Sequence, residues 1–214
     1  MKITIFGGAG DVGRRVAIEA LNRGHTVTAV ARSASQLNDM PAAIHRKVAD
    51  VSEPKSVTEL AEGQDLIISA LRPKEGSEPL LVPLTRSVLD AARNTSVKVL
   101  IVGGAARLLM PDESGHTVLT APDFLPASVK PIAEASFKQY QLCLAEQNTD
   151  WVYLSPPAML EAGTRTGNYQ RGSDHLLINT EGQSKISMED LAVALLDEAE
   201  QPSLTRFGFT VAYS

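Results

Sequence analysis

Residues Lys2 to Gly13 read KITIFGGAGDVG. The apolar, partly β-branched run Ile3-Thr4-Ile5-Phe6 predicts a strand that stops at Gly7. Gly7, Gly10 and Gly13 then recur three residues apart, and an amphipathic helical pattern begins at once. A strand that turns through glycines into a helix suits a nucleotide pyrophosphate. Residues without Cβ let the backbone approach the phosphates, and the helix N-terminus presents free N–H groups and a positive dipole end. Asp11 and Val12 lie between the glycines and belong to the same candidate loop. The spacing is Gly-x-x-Gly-x-x-Gly, not the Gly-x-Gly-x-x-Gly of the commonest dinucleotide fingerprint.

Outward from this loop, the first helix is expected from about Val12 to Arg23, with Val16, Ala17, Ala20 and Leu21 on one face and Gly24 past its end. Strands are expected at Thr26 to Ala31, near Ile44 to Val48, at Asp65 to Leu71 and at Val97 to Val102. Between them, Ser52 is read as the cap of a short helix through Leu60, and a longer helix runs from about Leu80 to Arg93. Strands apolar throughout that alternate with helices mean a mostly parallel sheet covered on both faces, the α/β, Rossmann-like doubly wound fold.

The second half is less regular. Ala105 to Ala127 is a long connection carrying Leu108-Leu109-Met110 and Phe124. A helix is expected from about Val129 to Glu146, then a strand at Trp151 to Leu154. The Gly-rich stretch Gly163 to Gly172 reads as a short hairpin. Ser187 with Asp190 reads as a capping-box start for a helix to about Glu200, and Phe207 to Ala212 as the last strand. This half is expected to add a small C-terminal substrate region to one domain spanning 1–214.

Bulk properties limit the function classes. The 214 residues are 43% hydrophobic and 21% charged, as in an ordinary globular domain. A net charge of −5 argues against a general nucleic-acid binder. No apolar run approaches the roughly 20 residues of a membrane helix. The first strand begins at residue 3, so no leader is expected and a cytoplasmic location is. Cys143 is the only cysteine, flanked by Leu142 and Leu144, and reads as a core residue; no disulfide or metal site is expected.

Candidate site residues fall where the predicted strands end. The second ends in Ala31-Arg32-Ser33. An acidic residue there would accept from the ribose 2′-hydroxyl of NAD, whereas a guanidinium pairs with a 2′-phosphate and the serine adds a bond. NADP(H) is therefore expected over NAD(H), with Arg14 as a further cation nearby. Asp50-Val51 is placed for the adenine, Ala70-Leu71 for the adenosine, and Gly103-Gly104 for the nicotinamide.

These motifs resemble the short-chain dehydrogenase/reductase superfamily in its atypical branch, the NAD(P)H-binding or NADH-flavin-reductase-like proteins, related to biliverdin reductase B and the NmrA-like proteins. The likeness is carried by Ile5-Phe6-Gly7 with Gly10 and Gly13, Glu19 to His25, and Val102-Gly103-Gly104-Ala105. It continues in Asp150-Trp151 with Leu154-Ser155-Pro156, in Gly163-x-Arg165-Thr166-Gly167-x-Tyr169, and in Ile186 to Asp190. The resemblance adds Pro156 to the candidate cofactor residues and implies a reductase using a nicotinamide cofactor.

No tyrosine has a lysine four positions on, so the Tyr-x-x-x-Lys pair of the well-known members is absent. Lys138 and Tyr140 lie near its expected place, but two helical residues are about 200° apart. No catalytic residue is assigned. A flavin or similar conjugated acceptor can take a hydride with protons from solvent, and the Leu108 to Phe124 loop would suit a lid over it or simply pack on its own domain. His116 is the one histidine considered for proton transfer. Tyr169 and Arg165 either face the acceptor or are structural. The expected partner is a small-molecule acceptor, and the chain a monomer or homodimer. The alternative is a non-catalytic NADP(H) sensor of the NmrA-like type; an epimerase of the extended branch ranks last.

Overall fold

The computed structural model describes residues 1–214. In chain order the elements are β1 (Lys2–Phe6), α1 (Asp11–Asn22), β2 (Thr26–Ala31), β3 (His45–Val48), α2 (Pro54–Ala61), β4 (Leu66–Ser69), α3 (Leu81–Thr95) and β5 (Lys98–Val102). They continue with α4 (Lys130–Ala145), β6 (Trp151–Ser155), β7 (Met159–Glu161), β8 (Gln170–Gly172), β9 (Lys185–Ser187), α5 (Met188–Glu200) and β10 (Phe207–Ala212).

Eight strands form one sheet in the order β3-β2-β1-β4-β5-β6-β10-β8, and β7 pairs with β9 in a separate small sheet. Every pair in the large sheet is parallel except β10 with β8. The chain winds outward from β1 to β3, then crosses back to β4 on the other side of β1. The order reverses between β1 and β4, and doubly wound sheets bind ligands at the carboxyl ends of the strands flanking such a point.

Alternation within each strand builds a core on each face. Ile3, Ile5, Val27, Ala29, Ile68, Leu100 and Leu154 pack with Val16, Ala17 and Ala20 of α1 and Leu191 and Leu195 of α5. Phe6, Val30, Ile67, Ile101, Trp151 and Tyr153 pack on the other face with Val57 of α2, Val88 and Leu89 of α3 and Cys143 of α4. Strands buried on both faces carry no polar stripe, so the sequence reads as continuous apolar runs. β3 is the exception: all four of its residues are exposed, and the charged sequence HRKV guards a sheet edge. No helix is long and apolar enough to cross a membrane.

Three local expectations are corrected. Ser52 does not cap α2; Glu53 holds that position, and Ser52 donates its hydroxyl and its backbone N–H to Asp50 Oδ1 at 2.8 and 2.9 Å. Gly163 to Gly172 is not a hairpin. Only Gln170–Gly172 is a strand, and it pairs with β10. The reason lies in α5. The buried Asp190 carboxylate accepts from the N–H groups of Thr166 and Gly167 (2.8 Å each), the Thr166 hydroxyl (2.7 Å) and Tyr213 Oη (2.7 Å). Backbone donors that a hairpin would pair across strands are taken by one side chain. Ser187 does cap α5, its Oγ accepting from Asp190 N at 3.0 Å, but Asp190 does not complete a capping box, because its carboxylate holds this loop instead.

Candidate functional site

The glycine turn is seated on its neighbours. Gly8 N donates to Val30 O, Gly10 N to Gly7 O, both at 3.0 Å, and Ala70 N to Phe6 O at 2.9 Å. Gly7 has φ +79°, and a Cβ there would overlap the Ala70 carbonyl. A Cβ on Gly13 would overlap the carbonyl of Gly7, so α1 approaches the turn more closely than any side chain allows. Gly8, which the three-residue spacing passes over, is constrained too, though less tightly, because its Cβ would meet Ala29 Cβ at 2.9 Å. Gly10 differs: its Cβ would meet only Gly7 O, at 3.3 Å.

Gly10 is also the N-cap of α1, with extended φ −73° and ψ 168°, and no side chain caps the helix. The first-turn N–H groups, those of Asp11, Val12 and Gly13, thus meet no side-chain cap, as is also true of α2, α3 and α4. A helix start without a cap, behind a turn too tight for side chains, has the free donors that a pyrophosphate requires. The nicotinamide dinucleotide fits this cradle.

The remaining candidates line the same carboxyl edge of the sheet. Beyond β2, Arg32 is exposed and has no carboxylate within ion-pair distance, whereas Arg14 lies 3.9 Å from Asp39. Ser33 is turned onto its own loop, its hydroxyl and N–H both 3.2 Å from Gln36 Oε1. Beyond β3, the two hydrogen bonds from Ser52 hold the Asp50 carboxyl below its ordinary range, with a smaller contribution from Arg32, and Val51 is buried beside it. Beyond β4, Ala70 and Leu71 abut Gly7.

Beyond β5, Gly103 lies against the Tyr153 ring so closely that a Cβ would overlap it. Tyr153 Oη accepts from Gly104 N (3.2 Å) and reaches Ser136 O (3.0 Å) and Gln139 Oε1 (3.1 Å). This fully buried phenol, which the sequence reading does not pick out, fixes the Gly103-Gly104 turn. Burial pushes its pKa well up, so it stays protonated. Beyond β6, Pro156 and Pro157 are both buried.

Two residues past Pro156 a cavity of about 400 Å³ opens between Met110, Pro111 and Phe124 on one side and Ala158, Met159, Leu176 and Ile178 on the other. That volume lies within the range of small-molecule sites. The expected lid is thus split. Met110 and Phe124 line the cavity, whereas Leu108 is buried with Val118 and Leu176, and Leu109 bridges Thr117 and His175. The second wall, from Ala158 and from Leu176 to Ser184, is missed by the sequence reading; its one signal was the Ser155-Pro156-Pro157 strand end.

Other candidates lie elsewhere. Tyr140 packs its ring on Trp151 and Tyr153, centroids 6.3 and 5.0 Å away, with the Arg107 guanidinium 4.7 Å above it, while Lys138 is exposed. They do not form a catalytic pair. His116 is exposed and does not line the cavity. Arg165 is held by Glu19 of α1 and Tyr169 donates to Asp197 of α5, so both are structural. Cys143 is buried, its thiol pushed up to about 12 by desolvation.

With this geometry, the chain's similarities are informative. The family described as NAD(P)H-binding matches residues 7–202. YwnB of Bacillus subtilis (strain 168), an uncharacterised protein, is 36% identical over 99% of this chain and 98% of its own. A structure from Bacteroides thetaiotaomicron named as an epimerase has 33% identity and TM-score 0.90, covering 99% of this chain and 96% of its own. One from Streptococcus pneumoniae TIGR4 named as an NADH-flavin reductase has 28% identity and TM-score 0.91 over the whole of both chains. The glycine cradle, the strand order and these similarities agree: the chain belongs to the NAD(P)H-binding family.

Proposed function

We propose that this protein is an NADPH-dependent reductase that transfers hydride to a flavin or a similar small conjugated acceptor. The observation that carries this reading is the apolar cavity beyond β6, on the same sheet edge as the nucleotide cradle. When bound, the nicotinamide supplies a hydride, NADPH becoming NADP⁺ while the acceptor gains two electrons and takes its second proton from water. The chain's own part is to hold and orient. Gly7 to Gly13 receive the pyrophosphate, Arg32 the 2′-phosphate, Asp50 and Val51 the adenine, and Ala70 and Leu71 the adenosine. Gly103, Gly104 and Pro156 back the nicotinamide, and Met110, Phe124 and Met159 offer the acceptor an apolar wall.

The cavity wall holds no acid or base, which favours an acceptor that needs no protein proton donor and disfavours an epimerase. The same feature supports one second reading, a cofactor sensor without turnover. Mixing the protein with NADPH and a panel of flavins and quinones, and following reduced-nicotinamide absorbance, separates the two. Oxidation above the uncatalysed rate is expected. Tight NADPH binding with no turnover across the panel would leave the sensor.

A further inference from the structure

The lining of the acceptor cavity contains no Lys, Arg, His, Asp or Glu. Its polar side chains are Gln183, an amide, and Ser184, whose hydroxyl already accepts from Ala158 N at 3.2 Å. Arg107, three residues before Met110, is turned away: Nε donates to Ser155 Oγ at 2.9 Å and Nη2 to Ser173 O at 2.8 Å, and the guanidinium lies over Tyr140. A second cavity of about 240 Å³ shares Met159 with the first, and its charged residues are Glu161 and Lys185. One carboxylate and one ammonium give that lining no net charge.

From this we infer that the site selects an uncharged acceptor, riboflavin or a neutral quinone, and discriminates against flavins carrying a phosphate. The inference rests on the reductase reading for treating the ligand as an acceptor. A phosphate brings a charge of about −1.5 to −2 at neutral pH. The acceptor cavity offers that charge no cation among its lining residues, and desolvating part of it there opposes binding. The isoalloxazine ring, common to riboflavin and FMN, meets the same Met110, Phe124 and Met159 surface in either case.

The experiment measures binding, with NADP⁺ present so that nothing turns over. Riboflavin and FMN are titrated separately with the protein, and quenching of flavin fluorescence gives each Kd. Riboflavin is expected to bind about tenfold more tightly, a difference of about 1.4 kcal/mol. Met159→Lys, at a residue 42% exposed and so tolerant of charge, is expected to narrow or reverse that ratio. Equal affinity, tighter FMN binding, no binding of either flavin, or a ratio unmoved by Met159→Lys overturns the inference. FMN bound as tightly and reduced by NADPH would overturn it while leaving the reductase reading intact. Selective riboflavin binding without NADPH oxidation would do the reverse.

Discussion

The Glu19 carboxylate on α1 accepts both arms of the Arg165 guanidinium, Oε2 from Nε at 2.7 Å and Oε1 from Nη2 at 2.8 Å. Glu19 is 5% exposed and also accepts from Arg23 Nε at 2.8 Å, and Arg23 in turn reaches Asp197 and Glu200 of α5. One buried carboxylate therefore ties the Gly163 to Tyr169 segment to the helix that begins at the pyrophosphate cradle. Glu19→Ala is expected to cost about 2 kcal/mol by urea denaturation, since charge-assisted bonds are lost and Arg23 keeps only its α5 partners. Arg165→Ala costs less, because its head is half exposed. Neither is expected to change acceptor KM; a KM shift in Arg165→Ala would mean that this guanidinium meets the ligand.

The same chemistry sets the acid limit of the fold. Hydrogen bonding from Arg165, opposed by burial and aided by Arg23, lowers the Glu19 pKa. At Asp190 and Glu198 burial is the largest single influence and raises the pKa, but hydrogen bonds outweigh it. Thr166, Gly167 and Tyr213 supply them at Asp190, and Arg171, Ser203 and Leu204 at Glu198, so both are lowered. A folded-state pKa below the unfolded one contributes stability that is fully present above the unfolded value, about 4 for carboxylates, and is lost as pH falls through the folded value. Stability should thus be level around neutral pH and fall below about pH 4. Asp190→Asn should lower the plateau and make the acid limb shallower, as read by chemical denaturation at several pH values.

The glycines separate folding from cofactor binding. Ala at position 7 would be forced to φ +79° and into the Ala70 carbonyl, so Gly7→Ala should lose both stability and NADPH binding. Ala at position 10 meets one carbonyl oxygen at 3.3 Å, and Gly10 is already extended. Gly10→Ala should therefore melt within a few degrees of the native protein yet bind NADPH at least about tenfold more weakly, because a methyl group then stands at the helix start proposed to receive the phosphates. Unchanged NADPH affinity would move the pyrophosphate elsewhere.

Arg32 tests cofactor choice. It is exposed and without an ion-pair partner, so Arg32→Glu should leave the melting temperature unchanged while reversing the charge met by a 2′-phosphate. NADPH affinity should fall by about tenfold or more, with NADH affected little. Equal losses for both cofactors, or none for NADPH, would remove Arg32 from that role.

Much of this was legible in the sequence because it is local or periodic. Short apolar runs such as Leu66 to Ile68, alternating with helical patterns, read as parallel strands buried on both faces, and strand-end residues such as Arg32 and Asp50 follow from that. What was not legible depends on contacts between distant segments. Gly163 to Gly172 has hairpin composition, but Asp190, more than twenty residues on, takes its backbone donors. The cavity joins Met110 and Phe124 to Leu176 and Ile178 across some fifty residues, and no spacing rule relates them. Gly8 was hidden by a regular three-residue pattern that did not need it.

Tyr153 is the remaining case, and the one whose role a mutation defines best. In a strand it reads as one more core aromatic, yet its hydroxyl hydrogen-bonds the Gly103-Gly104 turn to Ser136 and Gln139 of α4. Tyr153→Phe keeps the ring that packs on Tyr140 but leaves the half-buried Gly104 N–H and the buried Gln139 amide oxygen without that partner, a cost of about 1–3 kcal/mol. If the turn backs the nicotinamide, loosening it should raise the KM for NADPH. The pH profile of kcat should be unaltered, because a phenol whose pKa burial has raised exchanges no proton in the working range. A shifted profile would instead make Tyr153 a proton donor, and unchanged NADPH KM with the full stability loss would confine it to the core.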